Sequence, residues 1–109
     1  MKVINIARDF SEVPVGRFYG DGPDSGERFR DELLEPALGE HEVVQVDLDG
    51  TDGYGSSFLE EAFGGIVRKL QLSPEDAARR IKLKGSDQSF VDEITQYIKD
   101  ASKRIVQHH

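Results

Sequence analysis

Residues 42–70 read EVVQVDLDGTDGYGSSFLEEAFGGIVRKL, and they carry the strongest pattern in the chain. Residues 43–48 form a short, β-branched apolar run of strand length, which the following glycines interrupt. Beyond the glycines, apolar residues recur at helical spacing and define one buried face. They are Leu59, Ala62, Phe63, Ile66, Val67 and Leu70. The stretch therefore predicts a buried strand, a glycine-rich turn and a helix, in that order.

Two adjacent serines stand where the turn meets the helix. Ser57 and Glu60 have the spacing of a capping box, so the helix is predicted to begin near Phe58. Ser56 then lies one residue outside the cap, beside unpaired amides and the positive end of the helix dipole, where a phosphate would be stabilised. Gly64 and Gly65 each weaken the helix by about 1 kcal/mol relative to alanine. We therefore expect another part of the chain to pack closely over them.

The rest of the chain alternates between strand and helix patterns. We predict a first strand at residues 2–7, a short second strand at residues 17–19, and a helix opened by a capping box at residues 24–27. Pro36 is expected to kink or end that helix. The alternation predicts one α/β domain over residues 1–109, with helices packed on a small mixed β-sheet.

The C-terminal part of the chain completes this pattern. Ser73, followed by proline and two acidic residues, predicts a helix of about two turns. Residues 81–84 alternate apolar and lysine side chains, as in a half-exposed strand at a sheet edge. A final helix is predicted to start between Ser86 and Ser89. We expect residues 107–109 to be disordered, and His108 and His109 are either native or the remnant of a tag.

Composition limits the classes of function. The absence of cysteine excludes disulfides and thiolate chemistry, and the net charge of −7 opposes binding to nucleic acid. No segment resembles a leader or a membrane span, so we expect a cytoplasmic protein that does not bind membranes. The chain also lacks a glycine-rich phosphate loop with a lysine. We therefore expect no cofactor, no metal and no nucleotide site of its own.

The motif Asp47-Leu48-Asp49-Gly50-Thr51 supports an enzymatic alternative. It resembles the first motif of haloacid-dehalogenase-type phosphatases, which implies that Asp47 would be the nucleophile and Asp49 the general acid and base of a small Mg²⁺-dependent phosphohydrolase. The carboxylates could also hold a divalent cation weakly. Against both, aspartate-glycine pairs are ordinary turn residues, and we prefer a solvated acidic loop to either an active site or a metal site.

The strand, the turn, the paired serines and the helix together resemble the STAS domain of anti-sigma factor antagonists, whose motif here is Asp-Ser-Ser-Gly-Leu-Gly. More specifically, residues 16–38 and 46–65 resemble segments of a small STAS-like bacterial family of unknown function. On this resemblance Ser56 corresponds to the serine that is phosphorylated in the antagonists, and Leu59 to the motif leucine. Gly55 replaces the motif aspartate, and Phe58 replaces the glycine between the second serine and the leucine.

The resemblance implies a non-catalytic, regulatory protein-interaction module, switched by phosphorylation of Ser56. The implied partner is a histidine-kinase-type ATPase, an anti-sigma-like kinase or a protein encoded beside this one, and that partner would bind the ATP. A second copy of this chain is an alternative partner, which would give a homodimer. Residues 16–30 could form a recognition loop beside the serines, or simply a capped turn. The candidate partner-binding residues are Asp49, Asp52, Tyr54, Ser56, Ser57, Phe58, Arg17 and Asp21.

Overall fold

All strands in the computed structural model, which describes residues 1–107, run in the same direction. They are β1 (Lys2–Asn5), β2 (Val44–Asp47) and β3 (Ile81–Lys84), and the sheet has the order β1-β2-β3. In register, Val46 lies between Ile4 and Leu83. Parallel neighbours require long crossover connections, which helices supply here. The predicted α/β architecture is therefore confirmed, but the sheet is parallel and not mixed.

The short second strand predicted at residues 17–19 does not form, so that prediction is wrong. Tyr19–Asp21 forms a single 3₁₀ turn. The turn closes on itself, because the Phe18 amide donates to Asp21 Oδ2 at 2.9 Å while the Asp21 amide donates to the Phe18 carbonyl at 2.8 Å. These local bonds occupy backbone groups that a strand would have offered to a neighbour.

Five helices connect and cover the strands in the part of the chain that is described. The first, α1, spans Ile6–Asp9, directly after β1, which is therefore shorter than predicted. Two long helices each contain one π-helical turn. In α2 (residues 26–40) the segments are Gly26–Phe29, the π turn Arg30–Leu34, and Glu35–Glu40. In α3 (residues 56–70) they are Ser56–Leu59, the π turn Glu60–Gly64, and Gly65–Leu70.

The π turn in α2 explains why Pro36 does not end the helix. The Glu35 amide donates to the Arg30 carbonyl, five residues back, so the hydrogen-bond pattern changes just before the proline. Proline has no N–H to donate, and its position at this change lets the helix continue.

The cap at the start of α2 is one residue later than predicted, because Ser25 and not Asp24 accepts from the Arg28 amide.

The last two helices agree with the sequence. Helix α4 (Pro74–Arg80) begins at Ser73, whose side chain accepts from the Asp76 amide at 3.1 Å, and β3 follows directly. Helix α5 spans Gln88–Gln107. His108 and His109, with the expectations attached to them, lie outside the described residues. No helix among residues 1–107 is both long and apolar enough to cross a bilayer.

The core lies between the sheet and the long helices. Val44 and Val46 of the central strand are fully buried. Phenylalanines of α2 and α3 pack against one another, and the Phe29 ring centroid lies 5.8 Å from that of Phe58 and 6.1 Å from that of Phe63. This aromatic packing fixes the start of α3, and with it the position of the two serines.

Candidate functional site

The turn between β2 and α3 is held by residues 12–14 and by residues 86–90, neither of which the sequence connected with it. Residues 12–14 run alongside, because the Asp52 amide donates to the Glu12 carbonyl at 2.8 Å and the Gly55 amide to the Pro14 carbonyl at 3.2 Å. Within the turn, Gly50 and Gly53 have backbone φ angles of 103° and 133°, which residues other than glycine rarely adopt. The turn is therefore an ordered structure and not a loose loop.

Tyr54 stabilises the conformation of the turn through its hydroxyl and its ring. Its hydroxyl donates to the Leu48 carbonyl at 2.7 Å, and its ring packs edge-on against Phe90 of α5. Burial raises the pKa of Tyr54 to about 12. Only part of this predicted contact residue faces solvent, and its observed contacts fix the conformation of the turn.

The acidic residues of the turn serve local structure as well. Asp49 Oδ1 accepts from both the Ser86 amide and the Ser86 hydroxyl at 2.9 Å, and these bonds lower the pKa of Asp49. Asp47 Oδ1 accepts from the Asp49 amide at 3.1 Å. Asp52 is exposed. Within residues 1–107, no three or more carboxylate, imidazole or thiolate groups come together as metal ligands.

The two serines are exposed at the start of α3, but the predicted capping box does not form. The helix begins at Ser56, with Gly55 as its cap residue and no side-chain capping bond. Glu60 cannot return to the cap because it is bound by two arginines. Arg17 Nη1 lies 2.7 Å from Glu60 Oε1, and Arg68 Nη1 lies 2.7 Å from Glu60 Oε2. Charge-assisted hydrogen bonds of this kind are stronger than a bond to a neutral amide.

These arginines belong to a layer of ion pairs between the two π turns. Glu61 accepts from Arg30 and, at 3.2 Å, from Arg17. The hydrogen bond from Arg68, opposed by burial and reinforced by Arg17, holds the pKa of Glu60 below its ordinary value. Gly64 and Gly65 make room for the layer, since a Cβ at Gly65 would lie 2.7 Å from Arg30 Nη1. The expected close packing over these glycines is therefore confirmed.

The other predicted contact residues lie in different environments. Phe58 is fully buried, so its side chain offers no surface to a partner, and the prediction for it is wrong. It points inward because it occupies the apolar face of α3. Arg17 folds back onto α3, where Glu60 and Glu61 hold it. Asp21 is exposed, and its carboxylate closes the 3₁₀ turn.

The structure adds exposed apolar side chains that the sequence analysis did not select. Val13 and Val15 are each 49% exposed, and Val15 packs beside Gly55. Phe18 and Tyr19 are 50% and 48% exposed. A signal was present in the sequence, because the apolar residues of VPVGRFY are interrupted by a proline and a glycine and so cannot all be buried in one strand or helix. Residues 12–15 and 49–57, which we call the serine face, form one surface.

Comparison with models of known protein families identifies a relationship. A family model described as a STAS-like domain of unknown function (DUF4325) matches residues 25–89. This span contains α2, β2, the turn, α3, α4 and β3. It starts later and ends later than the resemblance read from the sequence, and it leaves out residues 12–15 of the serine face. No curated protein and no solved structure matches the chain.

Proposed function

We propose, because this chain belongs to the family of STAS-like domains of unknown function, that it is a non-catalytic module whose serine face docks on a protein partner. The observation that carries the proposal is the pairing of exposed valines with exposed serines on one ordered surface. Val13 and Val15 are half-exposed in a segment bonded to the turn that leads to Ser56 and Ser57. Clustered apolar groups on a surface with a polar rim are typical of interaction sites.

The regulation that we propose is phosphorylation of Ser56. A phosphate would add about −1.5 to −2 charges at neutral pH. The start of α3 would tolerate them, because its first amides lack a side-chain cap and the helix dipole is positive there. Exposed Asp49 and Asp52 already make this region acidic. We expect the added charge to leave the fold intact and to prevent docking of a partner that accepts the unmodified surface.

The partner class follows from the STAS resemblance. An antagonist-like module would bind a histidine-kinase-type ATPase, an anti-sigma-like kinase or a neighbour-encoded protein. ATP would be held by that partner, which would transfer the terminal phosphoryl group to Ser56. The Oγ–P bond would form as the P–O bond to ADP breaks, and the hydroxyl proton would be released to solvent. Accessible Ser56 satisfies the steric requirement for such a transfer.

Affinity capture from the native host tests the proposal. The bait proteins are the unmodified chain, Val15→Asp, which places a charge in the serine face, and Ala78→Glu, which adds the same charge to an exposed position of α4. We expect a protein that is retained by the unmodified chain and by Ala78→Glu but lost with Val15→Asp. Intact-mass measurement of the native protein reports any added phosphate. Retention of every captured protein by all three baits would contradict the proposal.

The phosphohydrolase alternative is tested with the same purified protein. Asp47 is the last residue of the central parallel strand and Asp49 follows it, at the carboxyl end where α/β enzymes place their active sites. An enzyme would show a Mg²⁺-dependent phosphatase activity that chelation removes and that Asp47→Asn eliminates. A non-catalytic module predicts the same background rate for the unmodified chain, for Asp47→Asn and after removal of Mg²⁺.

A further inference from the structure

A groove with several arginines runs beside the serine face. It has a volume of about 490 Å³ and lies between α3, α5 and the segment that carries Arg17. Arg17, Arg68 and Arg104 line it together with Glu60, Tyr97 and Asp100. A groove with more positive than negative side chains stands out on a chain whose net charge is −7. Guanidinium groups bind phosphate with paired hydrogen bonds, so this lining suits a phosphate group.

Ser56 lies on the same helix as Glu60, which lines this groove. It precedes Glu60 by four residues, and side chains with this spacing lie about 5–6 Å apart on one face of a helix. Tyr97, which lines the groove, also lies beside Ser56. Its pKa is raised, first by the hydrogen bond to Glu93 and then by burial, while the Ser56 hydroxyl acts in the opposite direction. A phosphate on Ser56 would therefore extend toward the arginines that now contact Glu60.

Arg17 can release the Glu60 and Glu61 carboxylates, because each of them would keep another arginine partner. Glu60 would keep Arg68, whose two terminal nitrogens lie 2.7 and 3.1 Å from its two oxygens. Glu61 would keep Arg30. A half-buried carboxylate that lost its last cation would be strongly destabilised, but each of these two has a second arginine. The Arg17 carbonyl accepts from the Glu27 amide at 3.0 Å, so the exchange is a movement of the long side chain and requires no movement of the backbone.

We propose that the groove is an intramolecular phosphoserine site, in which the phosphate on Ser56 is bound by Arg17 after Arg17 exchanges Glu60 and Glu61 for it. This inference rests on the proposed phosphorylation of Ser56. Arg17 immediately precedes Phe18 and Tyr19, which are half-exposed. Phosphorylation would thus change this surface twice, by adding charge at Ser56 and by drawing the Arg17 side chain away from Glu60 and Glu61.

The test uses the full chain with phosphoserine incorporated at position 56 during translation, so it requires neither kinase nor partner. The second pKa of the phosphate is measured by ³¹P NMR in the phosphorylated protein with Arg17 present and in the phosphorylated Arg17→Gln variant. We expect Arg17 to lower this pKa by about 1, because a nearby cation favours the dianion. Arg79→Gln removes an arginine from exposed α4 and should leave the value unchanged. Equal values with and without Arg17 would overturn the inference.

Further arms of the same experiment separate binding of the phosphate from general damage to the fold. The charged and titratable groups around the phosphate, apart from Arg17, are the same in each background: Glu60, Arg68, Glu93, Tyr97, Asp100 and Arg104. Arg17→Lys keeps the charge and should restore part of the shift. In the unmodified background, the Arg17 side-chain NMR signals should move on phosphorylation, which decides the matter even if Arg17→Gln does not fold.

The source of the phosphate is tested separately. Inorganic phosphate added to Ser56→Ala should not shift the Arg17 signals at concentrations that leave the remaining spectrum unchanged. Saturable binding of free phosphate to that variant would assign the groove to an external ligand and overturn the intramolecular site. Failure of either arm leaves the docking proposal intact, because docking is measured on the unmodified surface.

Discussion

At the scale of single residues, one glycine sets how closely α2 and α3 approach. Gly26 is buried, and a Cβ on it would lie 3.1 Å from the Phe58 Cα and would also overlap the Phe58 carbonyl oxygen. Both neighbours are backbone atoms, which cannot move aside as a flexible side chain can. The sequence showed a glycine near a helix start, but it could not show the opposing backbone.

Gly26→Ala should therefore destabilise the protein. We expect the free energy of unfolding in urea to fall by roughly 1–3 kcal/mol, as for other overpacked cores. Gly39→Ala is the matched control, because nothing lies within 4 Å of a Cβ there and the residue is helical. It should be neutral or stabilising by about 0.5–1 kcal/mol. Equal effects of the two substitutions would show that the close approach is not a constraint.

Tyr54 predicts a pH dependence at the same scale. Its pKa of about 12 in the folded protein exceeds the ordinary value of 10.0, because burial disfavours the phenolate. The folded state therefore holds the phenol proton more tightly than the unfolded state. The resulting stabilisation is complete below pH 10 and is lost as the pH rises toward 12. Urea unfolding across this window should show a steeper loss for the unmodified chain than for Tyr54→Phe, and equal slopes would contradict the assignment.

At the scale of elements, two π turns define the contact between α2 and α3. Arg30 and Glu61 lie one on each π turn, and each side chain is only 11% exposed. A π turn inserts one residue into a helix and re-aims the side chains around it. Here the insertions bring a carboxylate and a guanidinium together over two glycines. The ion-pair layer then holds Glu60, Arg17 and Arg68 in the groove beside Ser56.

Removal of the charge at this contact should be costly. Glu61→Gln leaves the buried Arg30 guanidinium without one of its carboxylates, and we expect a loss of roughly 1–3 kcal/mol in the free energy of unfolding. Glu42→Gln is the comparison, because Glu42 and Arg79 are 68% and 53% exposed. That change should stay within about 0.5 kcal/mol. A Glu61→Gln protein as stable as Glu42→Gln would show that the layer does not hold the two helices.

Elements with local signals were predictable, and elements that depend on distant partners were not. Ser73 caps α4 as predicted, because every group in that cap lies within four residues. Ser57 and Glu60 carry an equally good local signal, yet Arg17, far away in sequence, captures Glu60. The same long-range competition explains why the π turns were not foreseen. Only the paired glycines of α3 indicated that something packs there.

At the scale of the whole molecule, the serine face is assembled across the boundary of the family match. Its turn lies within residues 25–89, whereas Val13 and Val15 precede that span. The α/β class, the central strand and the exposed serines could be predicted from local patterns. The parallel sheet could not, because it depends on how strands from distant parts of the chain pair. The valines beside the serines could not either, because their position depends on how residues 12–15 return to the turn.

The N-terminal segment should accordingly be required for folding. A chain that begins at Ser25 lacks β1, which pairs with the central strand, and the buried Ile4 and Ile6. Each buried isoleucine contributes roughly 1.5–3 kcal/mol. We expect such a chain to show no cooperative urea transition and poorly dispersed NMR signals. A cooperative transition like that of the full chain would contradict the account of the core.

The central claim is that the serine face binds a protein and that a charge at Ser56 controls this binding. Its most direct test is the dissociation constant between this chain and a captured partner, measured for the unmodified protein, the Ser56-phosphorylated protein and Ala78→Glu. We predict binding at least about tenfold weaker after phosphorylation, a loss of about 1.4 kcal/mol, and unchanged binding for Ala78→Glu. Equal dissociation constants for all three proteins would contradict the claim.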